Sequence, residues 1–233
     1  MYTVVLAVSS SASDDGGSVD RSNHINDVVV TIRAMPTQAE RSASTRQALI
    51  DAATTLLIEQ GYAAFGEARV CEMAGISRGS LRHQFPEGRY DLLPAMVASL
   101  LDTEARKLAM LGVMSPRVRL HLMLHTLVHR RQRHTSLAIL EVWMASRGDR
   151  RLADAVGPLL AQVPIQLFGY DPDASPDPEL LALRLFLHGA TLHSFAADYD
   201  PDGLAASVQW LIDQLKPCPE LAEITARIAG LQR

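Results

Sequence analysis

The chain has 233 residues, 48% of them apolar and 5% aromatic, with two cysteines and a formal charge of −4. That length allows one large or two modest domains with a proper core, and the wealth of Ala and Leu suits helices. Cys71 and Cys218 are too few and too far apart for a disulfide framework or a structural zinc site, no run approaches the ~18 apolar residues of a membrane span, and the acidic balance does not by itself advertise nucleic acid.

Residues 1–43 hold little that would fold. MYTVVLAVSS is apolar but has no positive residue before it, so it does not read as a secretory signal. SSSASDDGGS is low-complexity, and Val28–Ile32 is a strand-like run with no visible partner. From Ser44 or Thr45, either of which is a candidate cap, Ala48, Leu49, Ala52, Ala53, Leu56 and Leu57 recur at helical spacing as far as Gln60, and Gly61 closes the helix. Thr45 and Arg46 would then stand at a helix N-terminus, where backbone amides and the dipole favour a phosphate.

Two short helices follow. The first, about Gly66 to Met73, shows an apolar face of Val70, Met73 and Ala74, with Cys71 expected to pack as a small apolar residue. Gly75 can leave it in the left-handed conformation, and Ser77 is placed to cap the next. In that next helix Leu81 and Phe85 lie four residues apart and face inward. Gly79 and His83 then lie on the far side, flanked by Ser80 and Arg82. A short helix anchored by two apolar residues and presenting small, polar and cationic ones suits a major groove. The same stretch contains Gly75-Ile76-Ser77-Arg78-Gly79, the G-x-S-x-G pattern of a hydrolase nucleophile elbow. That motif needs a preceding strand, whereas VCEMA has helical spacing, so Ser77 reads as a cap and no enzyme is expected. Pro86 ends the helix, and another runs from about Tyr90 to Met110 with Pro94 in its first turn. Between Arg41 and Arg89 six arginines meet five carboxylates, so charge placement rather than bulk charge carries the argument.

The segment from Thr45 to Leu93 resembles the DNA-binding domain of the tetracycline-repressor (TetR) family. TRQALIDAATTLLIEQGY is similar to that family's first helix and closing Gly-Tyr, and AGISRGSLRHQFPEGRYDLL to its turn, recognition helix and entry into the fourth helix. The resemblance implies a DNA-facing set of Ser77, Arg78, Ser80, Arg82, His83 and Gln84, with Gly79 permitting close approach. Thr45, Arg46 and Arg89 would hold phosphates, Arg89 standing close to the family's phosphate-contacting Lys. Two departures stand out: Phe65 and Gly66 replace the usual Ser/Thr-type cap, and Glu67 occupies a position that is commonly apolar or neutral. MPTQAERSAST is similar to the family's polar lead-in, which makes Met35 a candidate start of the natural protein.

Beyond Leu111 the chain reads as a helical bundle. Helices are expected over Pro116 to Arg133, Thr135 to Arg147, Arg150 to Phe168 with a kink or split at Pro158 and Pro164, Pro178 to Tyr199, Pro201 to Leu215, and Pro217 to Gly230; Asp149 is a candidate cap, and GYDPDASPDP a loop. His121, His125 and His129 recur every four residues beside the core stripe, a spacing that can bind metal, but no Cys or carboxylate accompanies them and no metal is expected. LEVWMASRGDRRLADAV resembles the family's paired middle helices, and LALRLFLHGATLHSF with DGLAASVQWLIDQL the two through which subunits pair, Gly189 and Ala190 allowing close approach. The resemblance implies a small, largely apolar effector within the bundle, with Met123, Trp143, Met144, Phe168 and His188 as candidate contacts.

The expectation is therefore an all-α protein: an extension over 1–43, a helix-turn-helix head over 44–92, and a helical effector-binding and dimerisation domain over 93–233. It would act as a ligand-responsive repressor in the cytoplasm, binding a palindromic double-stranded DNA operator as a homodimer, with no cofactor and no membrane partner. The alternative is a helical metal-sensing or protein-interaction module without sequence-specific DNA binding.

Overall fold

The computed structural model describes residues 37–129, 135–215, 219–221 and 223–224. The expectations for residues 1–36, Met35 and Val28–Ile32 among them, and for Cys218 lie outside this range. Ten α-helices are found among the described residues: α1 Gln38–Gln60, α2 Glu67–Ala74, α3 Arg78–Gln84, α4 Arg89–Met110, α5 Pro116–His129, α6 Thr135–Ser146, α7 Arg150–Leu160, α8 Val163–Gln166, α9 Pro178–His193 and α10 Pro201–Gln214. A 3₁₀ turn at Tyr62–Ala64 joins α1 to α2. The described residues from Pro36 onward belong to one compact unit, and α4, which begins beside α3, runs on against α7 and α6.

The start of α1 corrects the sequence reading. The cap is Thr37, not Ser44 or Thr45: its Oγ1 accepts from Glu40 N at 3.2 Å, and the Glu40 carboxylate accepts from Thr37 N at 2.6 Å. This reciprocal capping box satisfies two donors at once, which a lone Ser or Thr cannot do, and the box holds the Glu40 carboxyl below its ordinary range. Thr45 is a full turn or more inside the helix, its hydroxyl donating to Arg41 O at 2.9 Å. At the other end Gly61 closes α1 as expected, at φ 74°.

α1 buries Leu49, Ala53, Leu56 and Leu57 against α2, α3 and α4. On α2 the inward side is Val70, Cys71 and Ala74; Met73, expected with them, is 42% exposed, since at 100° per residue it lies about 110° from the centre of that face. Burial pushes the Cys71 thiol up, as its apolar setting requires. The other boundaries follow local chemistry. Asp149, Asp177 and Asp200 cap α7, α9 and α10, the last two followed by proline at the first helical position. The expected split in the 150–168 stretch comes after Leu160, with Pro158 tolerated inside α7. α9 ends at His193, six residues before the expected Tyr199.

His121 on α5 was expected beside the core stripe; it is instead buried, at 1% exposure. Burial lowers its pKa, the neighbouring Arg117 lowers it further, and Glu179 partly opposes both. His188 on α9 is shifted the same way by burial and Arg184.

Two outcomes are expected. Gly75→Ala should cost ~1–2 kcal/mol in urea unfolding, because φ is 65° there while the space around its Cβ position is open, leaving backbone strain as the whole effect. Stability should also fall as pH drops below about 6.5. There the unfolded chain takes up protons on His121 and His188 that the folded chain, with both pKa values lowered, does not. Urea midpoints at pH 7.5, 6.5 and 5.5, compared with those of the double variant His121→Gln/His188→Gln, should show a flatter dependence in the variant.

Candidate nucleic-acid interface and effector site

The turn between α2 and α3 is made by local bonds alone. Gly75 N donates to Glu72 O at 3.2 Å and Ile76 N to Cys71 O at 2.9 Å, closing α2. Ser77 then turns to extended backbone and caps α3, its Oγ accepting from Ser80 N at 3.1 Å and lying 3.0 Å from Ser80 Oγ. The element before Ser77 is a helix, so the strand that a nucleophile elbow requires is not there.

Leu81 and Phe85 are buried, at 1% and 0% exposure, so α3 presents Arg78, Gly79, Ser80, Arg82 and His83 to solvent. These five form one surface, as their spacing implies. Within it the basic side chains differ in their surroundings. Arg78 and His83 are exposed at opposite ends of the outward face. Arg82 is tied on both sides: Nη2 pairs with Glu67 at 2.8 Å, and Nη1 donates to Pro86 O at 3.0 Å.

Glu67, the departure from the family pattern, thus has a definite task. Its other oxygen accepts from Arg89 N at 3.3 Å, and its carboxylate lies where a Cβ at Gly88 would have to go, so Gly88, at φ 60°, cannot readily be another residue. One carboxylate on α2 therefore fastens α3 and the turn into α4.

The remaining candidates are also partly committed. Arg46 is not at a helix N-terminus, which corrects the expectation for it as for Thr45. Its guanidinium lies 4.3 Å over the Phe85 ring and donates to Gln84 O at 3.1 Å, stabilising the C-terminal end of α3. Gln84 donates to Ser42 Oγ at 2.8 Å. Arg89 opens α4 and bonds to the Tyr62 phenol, which raises its pKa. Sequence spacing contained no signal for these partners.

Of the effector candidates, Phe168 is buried, Met123 and His188 are half-buried, and Trp143 and Met144 are 50% and 42% exposed. The structure brings three of them together. The His188 ring lies 6.1 Å from Trp143 and 6.2 Å from Phe168. Tyr170, which the sequence reading missed, continues the run at 5.9 Å from Phe168, with the Arg184 guanidinium 5.4 Å over its ring. Met123 packs against the core, and Met144 faces outward. Among the described residues no group of three or more His, Cys, Asp or Glu could hold a metal; the His129 side chain lies outside that description.

Head and bundle meet through polar contacts that no motif announced. Glu141 of α6 accepts from Tyr62 N at 2.8 Å, just past the end of α1. Tyr90 OH donates to the Asp149 carboxylate at 3.1 Å, and Arg151 stacks on the Tyr90 ring while pairing with Glu87.

Residues 49–96 match the family model described as bacterial regulatory proteins, tetR family. The chain is 52% identical over 50 residues to the HTH-type transcriptional regulator CymR of Pseudomonas putida; that match covers 22% of this chain and spans a quarter of that relative's length. Its fold is shared with a TetR-family regulator from Rhodococcus sp. (TM-score 0.52, 20% identity, 73% of this chain and 97% of that one). A TetR regulator from Haloarcula marismortui is similar at TM-score 0.54 and 21% identity over 78% of this chain and 96% of its own. A regulator from Saccharomonospora viridis, solved in complex with choline, gives 0.53 and 16% over 74% and 97%. A capped helix-turn-helix head over residues 49–96 thus matches the tetR family model, and the all-helical body that follows shares its fold with solved regulators of that family.

Proposed function

We propose that the protein is a ligand-responsive transcriptional regulator that binds a palindromic DNA operator as a homodimer and represses until a small molecule releases it. The observation that carries this reading is the rigidly capped α3, with Arg78, Gly79, Ser80 and His83 on its open face. A guanidinium at the start of a recognition helix can reach guanine O6 and N7, and Gly79 removes the side chain that would hold the helix off the groove. Arg82 and Arg46 act differently from Arg78 in this reading. Both brace α3, so they set its pose rather than read bases. Arg89, at the start of α4, contacts phosphate from its bond to Tyr62.

Dimerisation is supported by a second open surface. Leu181, Leu185 and Leu192 on α9, Phe195 beyond it and Trp210 on α10 are large apolar residues left exposed, and the spacing of the three leucines puts them on one side of α9. Nothing lies within 4 Å of a Cβ at Gly189, so the approach there is open. Two-fold pairing would set the heads about 34 Å apart, one helical turn of DNA. Coupling to an effector is supported by the Glu141 and Asp149 contacts, since a shift of α6 or α7 pulls directly on the end of α1 and the start of α4. Among the described residues no helix is long and apolar enough to cross a membrane, and an operator-binding protein works in the bacterial cytoplasm.

The test is a mobility shift on DNA upstream of the protein's own gene, at two salt concentrations with unrelated competitor. Competitor-resistant binding that weakens steeply with salt is expected; no binding at either salt would reject the reading in favour of a module without DNA recognition. Arg78→Ala should cost ~1–3 kcal/mol of operator affinity and relax preference at one base pair. Glu67→Ala should instead weaken all sequences alike and lower the unfolding midpoint by no more than ~1 kcal/mol, its ion pair being largely exposed. A change in base preference with Glu67→Ala would show that Arg82 reads a base after all.

A further inference from the structure

The polar atoms left inside the bundle point to the chemistry of its ligand. Arg119 of α5 and Arg184 of α9 each have a buried Nε that meets no hydrogen-bond partner among the described residues. Buried guanidinium donors are costly to leave unpaired, and these two converge on one feature. Arg119 donates to Gln166 O at 3.0 Å, and its guanidinium fills the space beside Gly169, whose φ of 73° makes the turn between Phe168 and Tyr170. Arg184 lies over the Tyr170 ring. The nearby carboxylates are already engaged: Asp177 caps α9 at the amides of Glu179 and Leu180, and Glu179 pairs with Arg117 at 2.5 Å. The Tyr170 hydroxyl donates to Leu180 O.

From this cationic corner the rings of Phe168, His188 and Trp143 continue as a line, ending at the half-exposed indole. A cation would be repelled by the two arginines, and a neutral aromatic would leave their donors unanswered. An anion with a flat apolar body answers both parts of the surface, because carboxylate oxygens accept charge-assisted bonds from guanidinium groups and a ring stacks against the aromatic line. Burial is the main cause of the lowered pKa of His188, and the nearby charge of Arg184 adds to it.

We propose that the bundle binds an aromatic carboxylate, its carboxylate shared by Arg119 and Arg184 and its ring lying along Phe168, His188 and Trp143. This names the ligand class for the effector site of the preceding reading and rests on it.

The experiment is calorimetric titration of the full-length protein with 2-naphthoate, its neutral isostere 2-naphthamide and the cation 2-naphthylmethylammonium. Naphthoate should bind at least about tenfold more tightly than the amide, the difference expected of one charged hydrogen-bonded contact. Arg119→Gln and Arg184→Gln should each abolish that preference while changing amide affinity much less. Equal affinity for the three probes, tighter binding of the ammonium, no binding of any at millimolar concentration, or a preference that survives in both variants would overturn the proposal. Should a glutamine variant fail to fold, the ranking of the three probes on the unaltered protein still decides the charge class. Adding naphthoate to the protein–operator complex separates the two levels. Release of DNA supports both, whereas Arg184-dependent binding without release keeps the carboxylate site and overturns its role as effector site.

Discussion

Burial of Leu81 and Phe85 is the constraint on which the outward surface of α3 depends. A helix of seven residues has too few internal bonds to stand alone in water, so α3 exists because those two side chains are removed from solvent against α1 and α2. The outward residues are then presented by elimination. With positions 81 and 85 pinned, residues 78, 79, 80, 82 and 83 have nowhere to point but away. Arg46 adds to the pinning from α1, covering the Phe85 ring and bonding the last carbonyl of the helix. A residue that looks from its type like a phosphate ligand is thereby part of the frame.

Glu67 extends the same logic. An acid beside the basic side chains of α3 has its two oxygens used against Arg82 and the Arg89 amide, and its bulk occupies the space that Gly88 leaves. The carboxylate is largely neutralised by its partner, and what it contributes is position. The carboxylate thereby ties α3, the 86–88 turn and the first residue of α4 to one another, and α4 passes into the body of the protein. The head is consequently continuous with the bundle, and Glu141, Asp149 and Arg151 cross the same junction from the other side.

The bundle divides its polar groups unevenly. Leu181, Leu185 and Leu192 of α9 and Trp210 of α10 are exposed apolar residues, while Arg119 of α5 and Arg184 of α9 have their Nε atoms buried. Burial and neighbouring arginines both lower the pKa values of His121 and His188, with Glu179 partly opposing at His121. Such groups are costly to bury without partners, so they do not add to the stability of the bundle.

What the chain determined by itself was whatever depends on near neighbours. Ser77, Asp149, Asp177 and Asp200 cap the helices they precede, Gly61 and Gly75 close theirs, and the i, i+4 spacing of Leu81 and Phe85 sets the inward face of α3, because each of these is settled within a turn or two of the backbone. The helical class and the exposed set on α3 were legible for that reason. Where two local signals competed, at Thr37 and at Ser44 or Thr45, the reciprocal Glu40 bond favoured the earlier one. Only the tertiary structure decided which charged side chains are free. Arg46 meets a carbonyl 38 residues away, Glu141 an amide 79 residues away, and Arg119 a carbonyl 47 residues away. The partner of a long, flexible cation is fixed by which helix happens to pack beside it, and no periodicity along the chain carries that information.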